Sequence, residues 1–95
     1  MKAITIGEEA SLNWSDVADP ELNQGEVLID VAASAVNRAD LMQRRGLYPP
    51  PAGASPIMGL ECAGTVIQVS DGVEHFKEGD LVCALLAGGG YAQKV

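Results

Sequence analysis

From Gly46 to Gly59 the chain reads Gly-Leu-Tyr-Pro-Pro-Pro-Ala-Gly-Ala-Ser-Pro-Ile-Met-Gly, four prolines and three glycines in fourteen residues. Proline fixes φ, lacks an N–H and pushes the residue before it to an extended conformation. A stiff loop is therefore expected here, with no regular ladder. Elsewhere Gly and Pro fall between short apolar runs rather than inside them, which is the punctuation of a β-rich chain.

The runs between these breaks read as strands. Lys2 to Ile6 is the first, and Leu12 to Val17 a weaker second. Asp19-Pro20 through Gln24-Gly25 reads as a turn region. The strongest strand runs from Glu26 to Val36, with Val27, Ile29, Val31, Ala33 and Ala35 on one face and Leu28, Asp30, Ala32 and Ser34 on the other. Further strands are expected at Gly64 to Ser70 and, as a buried strand, at Leu81 to Leu86, with turns at Asp71-Gly72 and Lys77 to Asp80. Gly88-Gly89-Gly90 reads as a flexible connection before a last extended run, Tyr91 to Val95.

One short helix interrupts this pattern. Asn37 suits its N-cap, Asp40 can answer as in a capping box, Arg44 and Arg45 complement the C-terminal dipole, and Gly46 suits the position just past the end. About two turns of helix are not stable alone in water, so it must be held against other structure.

Charge narrows the function classes. Six Lys+Arg against thirteen Asp+Glu give a net charge of −7, which argues against nucleic-acid or anionic-membrane partners, since both need clustered cations. The 47% hydrophobic content is dispersed, with no run near the roughly 18–20 residues that span a bilayer. A soluble, cytoplasmic chain is expected. Cys62 and Cys83 lack metal-ligand spacing and are expected as buried free thiols. His75 lies in a polar turn region and reads as solvated. Neither cysteine has a neighbouring His or Lys in sequence to activate it. The two glycines of Gly59-Leu60-Glu61-Cys62-Ala63-Gly64 suit a barrel corner or bulge, with Glu61 in a buried hydrogen-bond network. The run to Val95 would leave an open sheet edge, so a piece of a longer protein is expected, and a possible homodimer through that edge.

Three segments read together carry a resemblance: Val36-Asn37-Arg38-Ala39-Asp40-Leu41-Met42-Gln43-Arg44, Gly46-Leu47-Tyr48-Pro49-Pro50-Pro51, and Gly59-Leu60-Glu61 with Gly64 and Val66. Gly79-Asp80-Leu81-Val82 and Gly88-Gly89-Gly90-Tyr91-Ala92 extend it over nearly the whole chain. The combination resembles the N-terminal part of the quinone oxidoreductases of the medium-chain dehydrogenase/reductase superfamily, and in particular the tumour-suppressor-inducible subgroup.

The resemblance implies a mainly β fold, a GroES-like, partly open β-barrel with one short helix. Residues 1–95 would be the N-terminal portion of a GroES-like catalytic domain. A Rossmann domain would follow in sequence and hold NADPH in the cleft between the two. No Gly-x-Gly-x-x-Gly stands between a strand and a helix in this chain, so that domain is absent from it. Zinc-dependent relatives would carry cysteine at Asn37 and histidine at Leu60. A carboxamide and an alkyl group are poor or impossible zinc ligands, so no metal is expected.

Without a metal, reducing a quinone or an enone needs a hydride from the nicotinamide and stabilisation of the developing oxyanion. The resemblance offers Tyr48 as the hydrogen-bond donor to the substrate oxygen; packing on its own loop is the other reading of that residue. It places Asn37 beside the reaction, and Asn37, Arg38, Leu41 and Met42 beside the nicotinamide end of the cofactor. Helix capping alone also accounts for Asn37, and a solvated face for Arg38. The expected function is thus the substrate side of an NAD(P)H-dependent quinone or enone oxidoreductase, inactive alone. A non-catalytic GroES-like binding module of co-chaperonin type is the alternative.

Overall fold

The computed structural model describes residues 1–95. Its elements are β1 (Lys2–Ile6), β2 (Leu12–Asp16), β3 (Val27–Ser34), α1 (Arg38–Arg44), β4 (Glu61–Val69) and β5 (Leu81–Leu85), with a single 3-10 turn at Glu8–Ala10. The strands form two antiparallel sheets, β1-β2 and β3-β4-β5, which do not close on each other. The expected mainly β, partly open architecture with one short helix is what the chain adopts. No helix is long and apolar enough to cross a membrane.

The last run joins the two sheets. Ala92 bridges Ala3 of β1, and Lys94 bridges Asp30 of β3. Ile29 and Val95 exchange both backbone hydrogen bonds, at 2.7 and 3.0 Å, and Ile4 N–H donates to Tyr91 O at 2.8 Å. The expectation of an open edge at Tyr91 to Val95 is therefore corrected, because that run lies between β1 and β3 with partners on both sides. The open edge of the larger sheet belongs to β5. Leu81 and Leu85 are 84% and 89% exposed there, so β5 is not the buried strand its apolar composition suggests. The homodimer expected through the terminal run loses its structural basis at that run.

The core is small: Ala3, Ile29, Met58, Cys62, Val66 and Ala92. It lies where β1, β3, β4 and the terminal run meet, and Val66 is its largest fully buried side chain. Register shifts between Leu28 and Ile29 and between Val31 and Ala33 break the simple alternation expected along β3. Ala33 is exposed although Ile29 is buried, because each irregularity re-aims the residues after it. β4 starts three residues earlier than expected, at Glu61, since Cys62 and Ala63 pair with β5 on one side and β3 on the other. Gly64 sits inside that strand because a Cβ there would overlap the Asp30 carbonyl of β3.

Gly88, Gly89 and Gly90 are buried rather than a flexible connection. Gly89 N–H donates to Ile57 O at 2.7 Å, Gly90 N–H to Gly59 O at 3.1 Å and Tyr91 N–H to Met58 O at 2.9 Å. Gly59, at φ +102°, has no room for a side chain: a Cβ would stand 2.6 Å from Tyr91 N. The triple glycine is thus a close backbone crossing over the end of the proline-rich loop, and it delivers Tyr91 to the start of α1.

Candidate functional site

Local sequence sets the helix that organises the site. Asn37 and Asp40 stand in the capping-box arrangement, and Asn37 N–H donates to Asp40 Oδ2 at 2.8 Å. Gly46, at φ +73°, follows the helix, and Leu47 N–H closes back on Met42 O at 2.9 Å. Arg44 does more than complement the dipole: its Nε donates to Ala10 O at 2.6 Å, fastening the helix to the turn after β1. Gln43 is buried, and its Oε1 accepts Gly59 N–H at 3.2 Å.

Four polar side chains converge at the helix start. Asn37 Nδ2 donates to Glu61 Oε2 at 3.1 Å, linking the cap to the first residue of β4. Asp40 is 3% exposed; its Oδ2 accepts the Tyr91 hydroxyl as well as Asn37 N–H, while its buried Oδ1 has no hydrogen-bond partner. The Tyr91 hydroxyl also lies 3.3 Å from Ala35 O. Burial pushes the Tyr91 phenol up to about 12, helped by its hydrogen bond to Asp40 and by the negative charges of Asp40 and Glu61. On the neighbouring strand, Ser34 Oγ donates to Gly90 O. The cluster holds α1, β4 and the terminal run in one arrangement.

Of the residues named from the sequence, Asn37, Arg38, Leu41 and Met42 fall together on the cap and outer side of α1. Arg38, Leu41 and Met42 are exposed, and their i, i+3 and i+4 spacing gives them one shared face. Tyr48 stands apart, on the proline-rich loop that follows, and is 48% exposed. Val36, at 86% exposed, and Leu47 extend the uncovered apolar surface on either side of the helix. Glu61 does join a hydrogen-bonded network, as expected, but it is half-buried. Sequence reasoning missed Gln43 and Tyr91. The signal for Tyr91 was present: it is one of two tyrosines, placed directly after three glycines.

The donor set offers no metal centre, since no three His, Cys, Asp or Glu side chains gather at any point. Cys62 is buried and burial raises its thiol pKa, whereas Cys83 is exposed, correcting the expectation of two buried thiols. Cys62 stands opposite Ala84 and Cys83 opposite Ala63, so the two side chains project from opposite faces of the sheet. His75 is exposed, as expected.

A nicotinamide dinucleotide fits this chain only in part. The exposed face of α1 and its cap offer a carboxamide and apolar side chains for a ring. No glycine-rich turn leads into a helix to receive the diphosphate, because Gly88–Gly90 feeds a paired extended run.

Residues 23–95 match the alcohol dehydrogenase GroES-like domain. The chain is 37% identical over 98 residues to a quinone oxidoreductase of Rattus norvegicus, covering 98% of this chain and 30% of that protein. It is 36% identical over 87 residues to an acryloyl-coenzyme A reductase of Metallosphaera sedula, covering 90% of this chain and 26% of the relative. Among solved structures, the quinone oxidoreductase of Thermus thermophilus, described together with its NADPH complex, superposes with a TM-score of 0.74 at 32% identity. That match covers all of this chain and 29% of the larger one. The chain therefore spans less than a third of the length of each.

Proposed function

The chain belongs to the alcohol dehydrogenase GroES-like domain family of the medium-chain dehydrogenase/reductase superfamily, and from that premise we propose that it forms the substrate side of an NADPH-dependent quinone or enone reductase. The observation that carries this reading is the outer face of α1. A carboxamide held at the helix start adjoins exposed Leu41 and Met42, and a tyrosine follows on a proline-stiffened loop. Domains of this family sit beside a dinucleotide-binding domain, and the uncovered Val36, Leu41 and Leu47 suit such a neighbour. Residues 1–95 are then one wall of the cleft, and further sequence supplies the Rossmann domain that carries the diphosphate.

In this reading Asn37, Arg38, Leu41 and Met42 border the nicotinamide end of the cofactor. When bound, the nicotinamide supplies the hydride. Tyr48 donates a hydrogen bond to the carbonyl oxygen of the acceptor, where negative charge develops, and Pro49, Pro50 and Pro51 limit how far the phenol can wander. Leu41 and Met42 keep water from the ring. The reaction is zinc-independent, because Asn37 and Leu60 occupy the positions where zinc-dependent relatives carry ligands.

The test is NADPH oxidation by the full-length gene product with a simple quinone, comparing wild type with Tyr48→Phe. Loss of one aimed donor is expected to lower kcat roughly a hundredfold while leaving NADPH affinity in place. An unchanged kcat overturns the role given to Tyr48.

A further inference from the structure

Helix N-caps favour Asn, Asp and Ser about equally, so capping alone does not single out asparagine. Position 37 is asked for more than that. Its main-chain oxygen takes the Asp40 N–H at 3.0 Å, which leaves the side chain free of the helix end to donate to Glu61 Oε2 at 3.1 Å. The carboxamide of Asn37 meets Glu61 with a donor, whereas an ionised aspartate at 37 would turn a second acceptor toward Glu61. The backbone of the same residue is pinned by Asp40, whose carboxylate Tyr91 holds from the other side.

We propose that Glu61 is a positioning residue: it fixes which way the Asn37 carboxamide faces, and so the orientation that Asn37 offers to the nicotinamide side of the cleft. The inference rests on the reading of Asn37 given above. Glu61 acts only through Asn37 and touches neither cofactor nor substrate. It is half-buried at the first position of β4, a rigid element paired on both sides, whereas Asn37 begins a helix of seven residues. The strand thereby dictates the geometry of the shorter, less stable partner. The charged and titratable groups around the pair are Asp40 and Arg38 on the helix and Tyr91 from the terminal run. Asp40 and Tyr91 are already engaged with each other, and Arg38 is exposed.

The experiment measures NADPH affinity across pH in the full-length gene product, together with the side-chain amide resonances of Asn37 in the 95-residue chain. Glu61→Gln keeps an acceptor and is expected to bind within a few-fold of wild type, whereas Glu61→Ala should weaken NADPH roughly tenfold or more, the scale of a hydrogen bond to a charged group. Asn37→Asp places two carboxylates in contact, and these cannot both ionise, so its affinity should recover as the pH falls and the pair retains a proton. Adding Glu61→Gln to Asn37→Asp restores a donor and acceptor of swapped polarity and should abolish that pH dependence.

In the isolated chain, Glu61→Ala should shift the Asn37 amide resonances and speed their exchange; unmoved resonances overturn the positioning role. So does a pH-independent loss in Asn37→Asp. Should Asn37→Ala bind NADPH as wild type does while the resonances still respond to Glu61, the positioning stands and the cofactor role of Asn37 fails. The two ideas are thus separable.

Discussion

Tyr91 hydrogen-bonds through its hydroxyl to the buried carboxylate of Asp40, fifty-one residues earlier in the chain. The bond ties the terminal run to the first turn of α1. It also serves a carboxylate whose other oxygen is buried without a partner. Removing the phenol hydroxyl leaves Asp40 with only Asn37 N–H, so Tyr91→Phe is expected to destabilise the chain by about 1–3 kcal/mol, the cost of an unsatisfied buried polar group. Urea unfolding of the two proteins measures it.

The same pair gives an alkaline signature. The folded state holds the Tyr91 proton up to about 12, above its ordinary value of 10.0, so its contribution is complete below pH 10 and is lost as pH rises toward 12. Stability measured through this window should fall more steeply in wild type than in Tyr91→Phe. The difference in phenolate absorbance between the two should titrate near the upper end.

Two glycine substitutions separate crowding from backbone conformation. Gly64→Ala would drive a methyl group into the Asp30 carbonyl, and the chain is expected to lose about 3 kcal/mol or more, or to fail to fold. Gly72, at φ +85°, has open space around it, so Gly72→Ala should cost only the strain of its backbone conformation, about 1 kcal/mol. Thermal or urea unfolding reads both; equal costs would contradict the packing of β3 on β4.

At the chain ends, Lys94 donates to Asp19 Oδ2 at 2.8 Å and the Met1 amine to Asp19 Oδ1 at 3.0 Å. The hydrogen bond from Lys94, then that from the amine, hold the Asp19 carboxyl below the usual carboxylate range. A depressed pKa contributes stability above the ordinary value of 3.8, which is lost as pH falls through the folded-state value. Asp19→Asn should remove part of the acid dependence below pH ~4. Because these charges are exposed, the effect should also shrink with added salt.

Local signals were the legible ones. Asn37, Asp40 and Gly46 bound the helix because capping is written within a few residues, and β1 is read in full from Lys2–Ile6. The roles of Gly88–Gly90 and Tyr91 depend on Gly59 and Asp40, distant in the chain; glycines that flex and glycines that let two backbones touch look alike until the second backbone is known. Leu81 and Leu85 show the converse limit. Apolar residues mark a surface that water disfavours, but not whether anything within this chain covers it. Asn37 is legible as a helix start, while its place beside the cofactor and that of Tyr48 beside the substrate come from resemblance; the Asn37–Glu61 hydrogen bond, across twenty-four residues, appears only in the fold.

NADPH titration of the 95-residue chain beside the full-length gene product tests whether this chain is one wall of a cleft whose other wall holds the dinucleotide. Saturable binding is expected from the full-length protein and none from residues 1–95, in which no glycine-rich turn leads into a helix to receive the diphosphate. Tight, saturable binding by these 95 residues alone would contradict that arrangement.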